Sequence, residues 1–145
     1  MIIVDTNVIS ELMKPSPAPS VRRWARAQRG AEVFTTAITL AEIDYGIARL
    51  PAGRRRDQLR DAADEVFAAF DDRVLPFDPA AATQYARVVI GREELGLPID
   101  GFDAQIAAIC HARGAAFATR NVKDFAATGI DLINPWEPTT TPTST

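Results

Sequence analysis

Asp5, Glu42 and Asp103 are the residues of this chain whose type and setting invite chemistry. Asp5 closes the apolar, β-branched run Ile2-Ile3-Val4. Glu42 stands among Ile38, Leu40, Ala41, Ile43 and Ile47, and Asp103 directly precedes the apolar run Ala104 to Cys110. Taken singly, each has a bland reading beside the chemical one. Asp5 reads as a helix cap or a functional anion, although Thr6 and Asn7 are equally good capping types. Glu42 either faces solvent or sits in a pocket. Asp103 is a cap or first-turn acid, and Asp100 competes for that role. Gathered in one place they read differently. Carboxylates within a few ångströms raise one another's pKa, and a divalent cation relieves that cost. Mg²⁺ takes carboxylate oxygens and keeps several waters. Cys110 and His111 are the only residues of their kinds, so no thiolate or imidazole set competes. Hard oxygen ligands then favour Mg²⁺ or Mn²⁺ over zinc.

The elements that must position these acids follow from patterning. Ile2 to Val4 reads as a buried, central, parallel strand. Further strands are expected at Val33 to Thr35, Val74-Leu75, Ala116 to Ala118 and Ile130 to Ile133. Helices are expected from Thr6 to Met13, about Ala18 to Gln28 with Gly30 ending it, Ala37 to Leu50 behind a Thr36 cap, and Arg54 to Phe70. In the last of these, Leu59, Ala62, Ala63, Val66, Phe67 and Phe70 keep helical spacing. Asp78-Pro79 is a helix start, and that helix should run to about Leu95. Asp103 to Arg113 and Val122 to Ala127 complete the set. Strands alternating with helices imply a layered α/β fold with a parallel sheet. Ligands bind such sheets at the carboxyl ends of the strands, which draws attention to Asp5 and to Thr119 to Asn121.

At 145 residues one domain is expected, with residues 1–137 forming it and the Pro/Thr-rich stretch 138–145 a disordered tail. The single cysteine permits no internal disulfide and fits a reducing cytoplasm. No apolar run approaches the roughly 18 residues of a membrane span, and the N-terminus does not read as a signal peptide. The net charge of −3 runs against the basic balance usual for nucleic-acid binders. Arginines nevertheless cluster at Arg22, Arg23, Arg26 and Arg29, and at Arg54, Arg55, Arg56 and Arg60. These read as solvated faces, RNA backbone contacts or a groove for an acidic partner. Trp24, Tyr45, Trp136 and Cys110 are expected to be structural, and His111 to lie at the surface.

The order of motifs resembles the PIN-domain family, and specifically the VapC/FitB-like toxins of toxin–antitoxin pairs. The matching stretches are Ile3 to Glu11, Thr36 to Gly46, Asp103 to Ala108, Thr119 to Phe125 and Asn134-Pro135-Trp136. The resemblance implies a three-layer α/β/α fold with about five parallel strands, and an RNA endonuclease dependent on Mg²⁺ or Mn²⁺. By position Asp5, Glu42 and Asp103 match the family's first three site acids. Asn121 stands where a fourth acid often lies and adds no charge, with Asp124 and Asp100 as outer-shell candidates. One well-held ion is implied, with a second weakly held or brought by substrate. In this reading Asp5 and Asp103 hold the metal, and Glu42 ligates it or orients the attacking water. Thr6 and Thr119 donate hydrogen bonds to carboxylates or phosphate. The resemblance further implies a cognate antitoxin, a homodimer, and contact with DNA only through the antitoxin. Two other classes remain open on the residues alone. An aspartyl-phosphate phosphotransfer domain would use an aspartate after a strand, with Asp78 and Lys123 as partners. A non-catalytic binding module would use the acids merely as caps.

Overall fold

The computed structural model describes residues 1–137; the expected tail, 138–145, lies outside them. Five parallel strands form one sheet in the order β3-β2-β1-β4-β5. They are β1 (Ile2–Val4), β2 (Val33–Thr36), β3 (Val74–Leu75), β4 (Ala116–Ala118) and β5 (Leu132–Ile133). Between them run α1 (Thr6–Leu12), α2 (Pro19–Ala27), α3 (Ala37–Ala48), α4 (Arg54–Phe70), α5 (Pro79–Glu94) and α6 (Gly101–Arg113).

The central strand decides the layering. Successive residues of a strand point to opposite faces. Ile3 and its β4 neighbour Phe117 join Ile106, Ile109 and Val88 on one side, under α5 and α6. Val4 and Ala118 join Val8, Ile9, Ile43, Ile47 and Ala63 on the other, under α1, α3 and α4. Both faces are covered, as a parallel sheet requires. The chain builds β2 and β3 to one side of β1, then β4 and β5 to the other. The strand order therefore reverses beside β1, and a crevice opens at the carboxyl ends of β1 and β4.

Several boundaries differ from expectation, each for a local reason. Helix α6 begins at Gly101, because Asp100 takes the cap and accepts hydrogen bonds from the backbone N–H of Phe102 (2.9 Å) and Asp103 (3.5 Å). Asp103 is thus a first-turn residue. Helix α3 stops at Ala48, and α2 at Ala27, so Arg29 lies beyond it. Gly30 opens a 3-10 turn, Gly30–Glu32, rather than ending a helix. Val122–Phe125 is also a 3-10 turn, and Ala127, expected to be helical, has φ 60° in the left-handed region. Tyr45, expected to be structural, is 67% exposed, with the Arg49 guanidinium 5.5 Å above its ring. Among the described residues no helix is long and apolar enough to cross a membrane.

Arg92 ties distant segments together from inside the fold. It is 5% exposed, and its guanidinium donates to the carbonyls of Ala126 (2.6 Å), Lys123 (3.4 Å) and Pro98 (3.5 Å). It thereby ties the loop before α6 to the turn after β4. Those two segments carry Asp100, Asn121 and Asp124, and the first leads directly into the α6 turn that carries Asp103.

Candidate active site

The first corner is Asp5, which leaves β1 with its own N–H bonded to the carbonyl of Ala118 (2.9 Å). Its carboxylate is buried and held by three donors. Oδ1 accepts from the backbone N–H of Thr6 (2.7 Å), so Asp5 does cap α1. Oδ2 accepts from Thr119 Oγ1 (2.7 Å) and Asn7 Nδ2 (3.2 Å). A simple cap needs only the first of these. Burial pushes the Asp5 carboxyl above its ordinary value, opposed by the Thr119, Thr6 and Asn7 hydrogen bonds. Thr119 also accepts from the N–H of Asn121 (3.0 Å), and Asn7 Oδ1 accepts from the N–H of Arg120 (3.2 Å). The end of β4 is thereby keyed to the end of β1.

Glu42 comes from the second turn of α3. Thr36 starts that helix by accepting from Thr39 N–H (3.1 Å). Glu42 is half-buried, and its Oε1 accepts from Thr6 Oγ1 (3.2 Å). Burial and then the Asp5 charge raise its carboxyl. Asp103 enters from the first turn of α6, where the helix dipole favours an anion. It is nonetheless pushed up to about 7, by burial first and then by Asp5, Asp100, Glu42 and Asp124. Repulsion among these acids is the physical sign that they face one space.

Asp5, Glu42, Asp103 and Asn121 line one cavity of about 420 Å³, together with Thr6, Asn7, Arg120 and Trp136. Asp100 and Asp124 are exposed and stand outside its lining, reaching it only through their charge. Thr119 is fully buried behind Asp5. Among the described residues no three His, Cys, Asp or Glu side chains are gathered closely enough to hold one metal ion between them. The donor set fits a hard cation that takes one or two carboxylates and keeps its water, as Mg²⁺ does.

Sequence reasoning passed over Asn7, Arg120 and Trp136 as site residues. Asn7 could have been found from its place as the second residue of the helix that Asp5 caps. Trp136 packs against the apolar cluster beneath α1, α3 and α4 and also lines the cavity. Neither arginine cluster lines it; Arg60, for example, pairs with Asp44 (2.7 Å).

The PIN domain family model matches residues 2–130. The chain is 44% identical to VapC ribonuclease Y4jK of Sinorhizobium fredii, over 95% of this chain and 99% of that protein. It is 34% identical to Toxin FitB of Neisseria gonorrhoeae, over 94% and 99%. A solved structure of FitAB bound to an IR36 DNA fragment superposes with a TM-score of 0.90 at 34% identity, covering 96% of this chain and 98% of that one. Relatives this similar over nearly the whole length, with the acids at the ends of β1, in α3 and at the start of α6, place the chain in the PIN-domain family, on its VapC- and FitB-like branch.

Proposed function

We propose that the chain is a metal-dependent endoribonuclease that acts as the toxin of a toxin–antitoxin pair. The observation that carries this is the convergence of Asp5, Glu42 and Asp103 on one cavity with all three carboxyls raised. Such a set is stabilised by a divalent cation, and Mg²⁺ or Mn²⁺ suits oxygen donors alone. When bound, the ion supplies positive charge at the scissile phosphate and makes a water more acidic.

The chain's own groups do the rest. Asp5 and Asp103 hold the ion. Glu42, tethered by Thr6, orients the attacking water and receives its proton. Asn121 offers an amide oxygen at the rim and adds no charge. Water oxygen would bond to phosphorus while the P–O3′ bond breaks, and the departing 3′ oxygen would take a proton from solvent, leaving a 3′-hydroxyl and a 5′-phosphate. Thr119 and Asn7 fix Asp5, and Arg92 fixes the segments bearing the other acids. The phosphotransfer alternative fits less well. Asp78 is committed to capping α5, accepting from Ala81 N–H (2.9 Å), and faces Arg113 (3.6 Å).

The FitAB complex on DNA supports a cognate antitoxin for this chain, with DNA reached through it. A homodimer, a cytoplasmic setting and a domain spanning residues 1–137 belong to the same reading. Incubating the purified chain with RNA in Mn²⁺ or Mg²⁺ should yield internal cleavage products that EDTA prevents. RNA left intact in both ions sinks the proposal. Thr119→Val, nearly isosteric, should lower metal affinity or cleavage by about 10–100-fold, as loss of a ligand's supporting hydrogen bond does. Wild-type cleavage and metal affinity in this variant would show that Asp5 needs no such support.

A further inference from the structure

A cavity walled by carboxylates repels the polyanion it is meant to cut. The cation that offsets this must sit at its edge, and two line it, Lys14 and Arg120. Lys14 is engaged with Glu11 at 2.6 Å. Glu11 in turn accepts from the N–H of Ala18 (2.9 Å), so that pair closes the turn between α1 and α2. Arg120 is different. Its side chain is exposed, and no carboxylate of the described residues lies within ion-pairing distance of it.

Arg120 is also held in place. Its Cζ lies 5.0 Å from the centre of the Trp136 ring. Trp136 is half-buried against the apolar cluster beneath α1, α3 and α4, and its backbone N–H donates to Asn134 Oδ1 (3.0 Å). The Arg120 backbone N–H is bound by Asn7, whose Nδ2 donates to Asp5. The Arg120 backbone is therefore registered to the Asp5 carboxylate through two hydrogen bonds, and the Trp136 ring lies against its guanidinium. A planar, weakly hydrated cation lying over a ring keeps its N–H fork available, and that fork can meet a phosphate bidentately.

We propose that Arg120, laid on the Trp136 indole at the rim of the acid cavity, grips an RNA backbone phosphate next to the scissile one. Arg120 is the binding residue and Trp136 its positioning residue. This rests on the ribonuclease reading above and adds to it a substrate contact. Binding one flanking phosphate sets the register of the strand, so that the next phosphate falls over Asp5 and Asp103.

The test is steady-state cleavage of a fluorescent single-stranded RNA in Mn²⁺, with salt varied. Each phosphate contact on a single strand contributes about 0.7 to the slope of log affinity against log salt. Arg120→Ala should leave kcat within about twofold, raise KM about tenfold at low salt and cut the salt slope of KM by about 0.7. Arg120→Lys should keep the slope, since it keeps the charge. Trp136→Leu should raise KM about threefold with the slope unchanged, because the cation remains but is no longer held flat. Circular dichroism and melting confirm that each variant is folded.

An unchanged slope in folded Arg120→Ala overturns the proposal. So does an unchanged KM accompanied by loss of antitoxin binding, which would make Arg120 a protein contact. If the wild-type chain cuts no RNA at all, the ribonuclease reading fails first. If it cuts and Arg120→Ala keeps the wild-type slope, only the phosphate contact fails.

Discussion

Asp5→Asn should reduce metal-dependent RNA cleavage by about a thousandfold or more while the protein melts no lower than wild type. The two halves of this result discriminate between the roles Asp5 could have. As an N-cap, asparagine is as good as aspartate, and the variant's Oδ1 can still accept from Thr6 N–H as Asp5 does at 2.7 Å. A residue that only capped α1 would tolerate the change silently. As a metal-holding acid, Asp5 supplies a negative charge that asparagine lacks. Losing about 4 kcal/mol of transition-state stabilisation corresponds to about a thousandfold in rate. The expected stability follows from the same carboxyl. Burial raises it above its ordinary value, so the fold disfavours its ionised form, and losing the charge offsets the acceptor that Thr119 Oγ1 and Asn7 Nδ2 lose. Removing that charge relieves the repulsion felt by Glu42 and Asp103. The measurement is a paired one, cleavage in Mn²⁺ and a thermal melt. Full activity would return Asp5 to a capping role. Inactivity with a collapsed melt would mean that Asn7 and Thr119 had lost their anchor, making the site's architecture the thing that failed.

Much of this site was legible because local signals and distant chemistry agreed. The β-branched run ending in Asp5, the Thr36 cap and the Asp78-Pro79 start are short-range patterns, and the structure places each as read. The start of α6 was not legible to the residue, because Asp100 and Asp103 are both plausible first acids. Only the observed hydrogen bonds to Asp100 decide between them. Arg92 was invisible for a different reason. An arginine in the last turn of α5 reads as a solvent-facing cation, and its acceptors lie some thirty residues away in the chain. Arg120 and Trp136 were missed likewise. They belong to different strand ends, and the parallel pairing of β4 with β5, Phe117 beside Leu132 and Ala118 beside Ile133, brings those ends together. Tyr45 shows the limit of composition, since an aromatic side chain reads as structural until its exposure in the fold is known.

Raising the pH should destabilise the metal-free protein across a window set by Asp103, and a divalent cation should restore stability only at the upper end. The Asp103 carboxyl stands at about 7 in the folded chain against an ordinary 3.8. Below the ordinary value both states carry the proton, and the folded chain keeps its full advantage. Between roughly pH 4 and 7 the unfolded chain releases the proton and the folded chain retains it, so stability falls with each unit. Above 7 both are ionised and the loss is complete. Asp5 and Glu42 are raised as well and push in the same direction. Asp103 is half-exposed, so solvent screening makes the fall shallower than its pKa alone implies. A cation changes the upper end. At pH 8 the carboxylates are free to bind it, whereas at pH 5 it must displace protons first. At a hundred times Kd the linkage is worth about 2.7 kcal/mol. Each kcal/mol moves the midpoint of a domain this size by about 2–4 °C, so Mn²⁺ should raise it by about 5–10 °C at pH 8. At pH 5 the rise should be small. Melting curves with and without Mn²⁺ at both pH values, repeated on Asp103→Asn, settle the matter. An equal rise at both pH values would place the cation elsewhere, on carboxylates of ordinary pKa. A full rise in Asp103→Asn at pH 8 would remove Asp103 from the metal site and leave Asp5 and Glu42 to hold the ion.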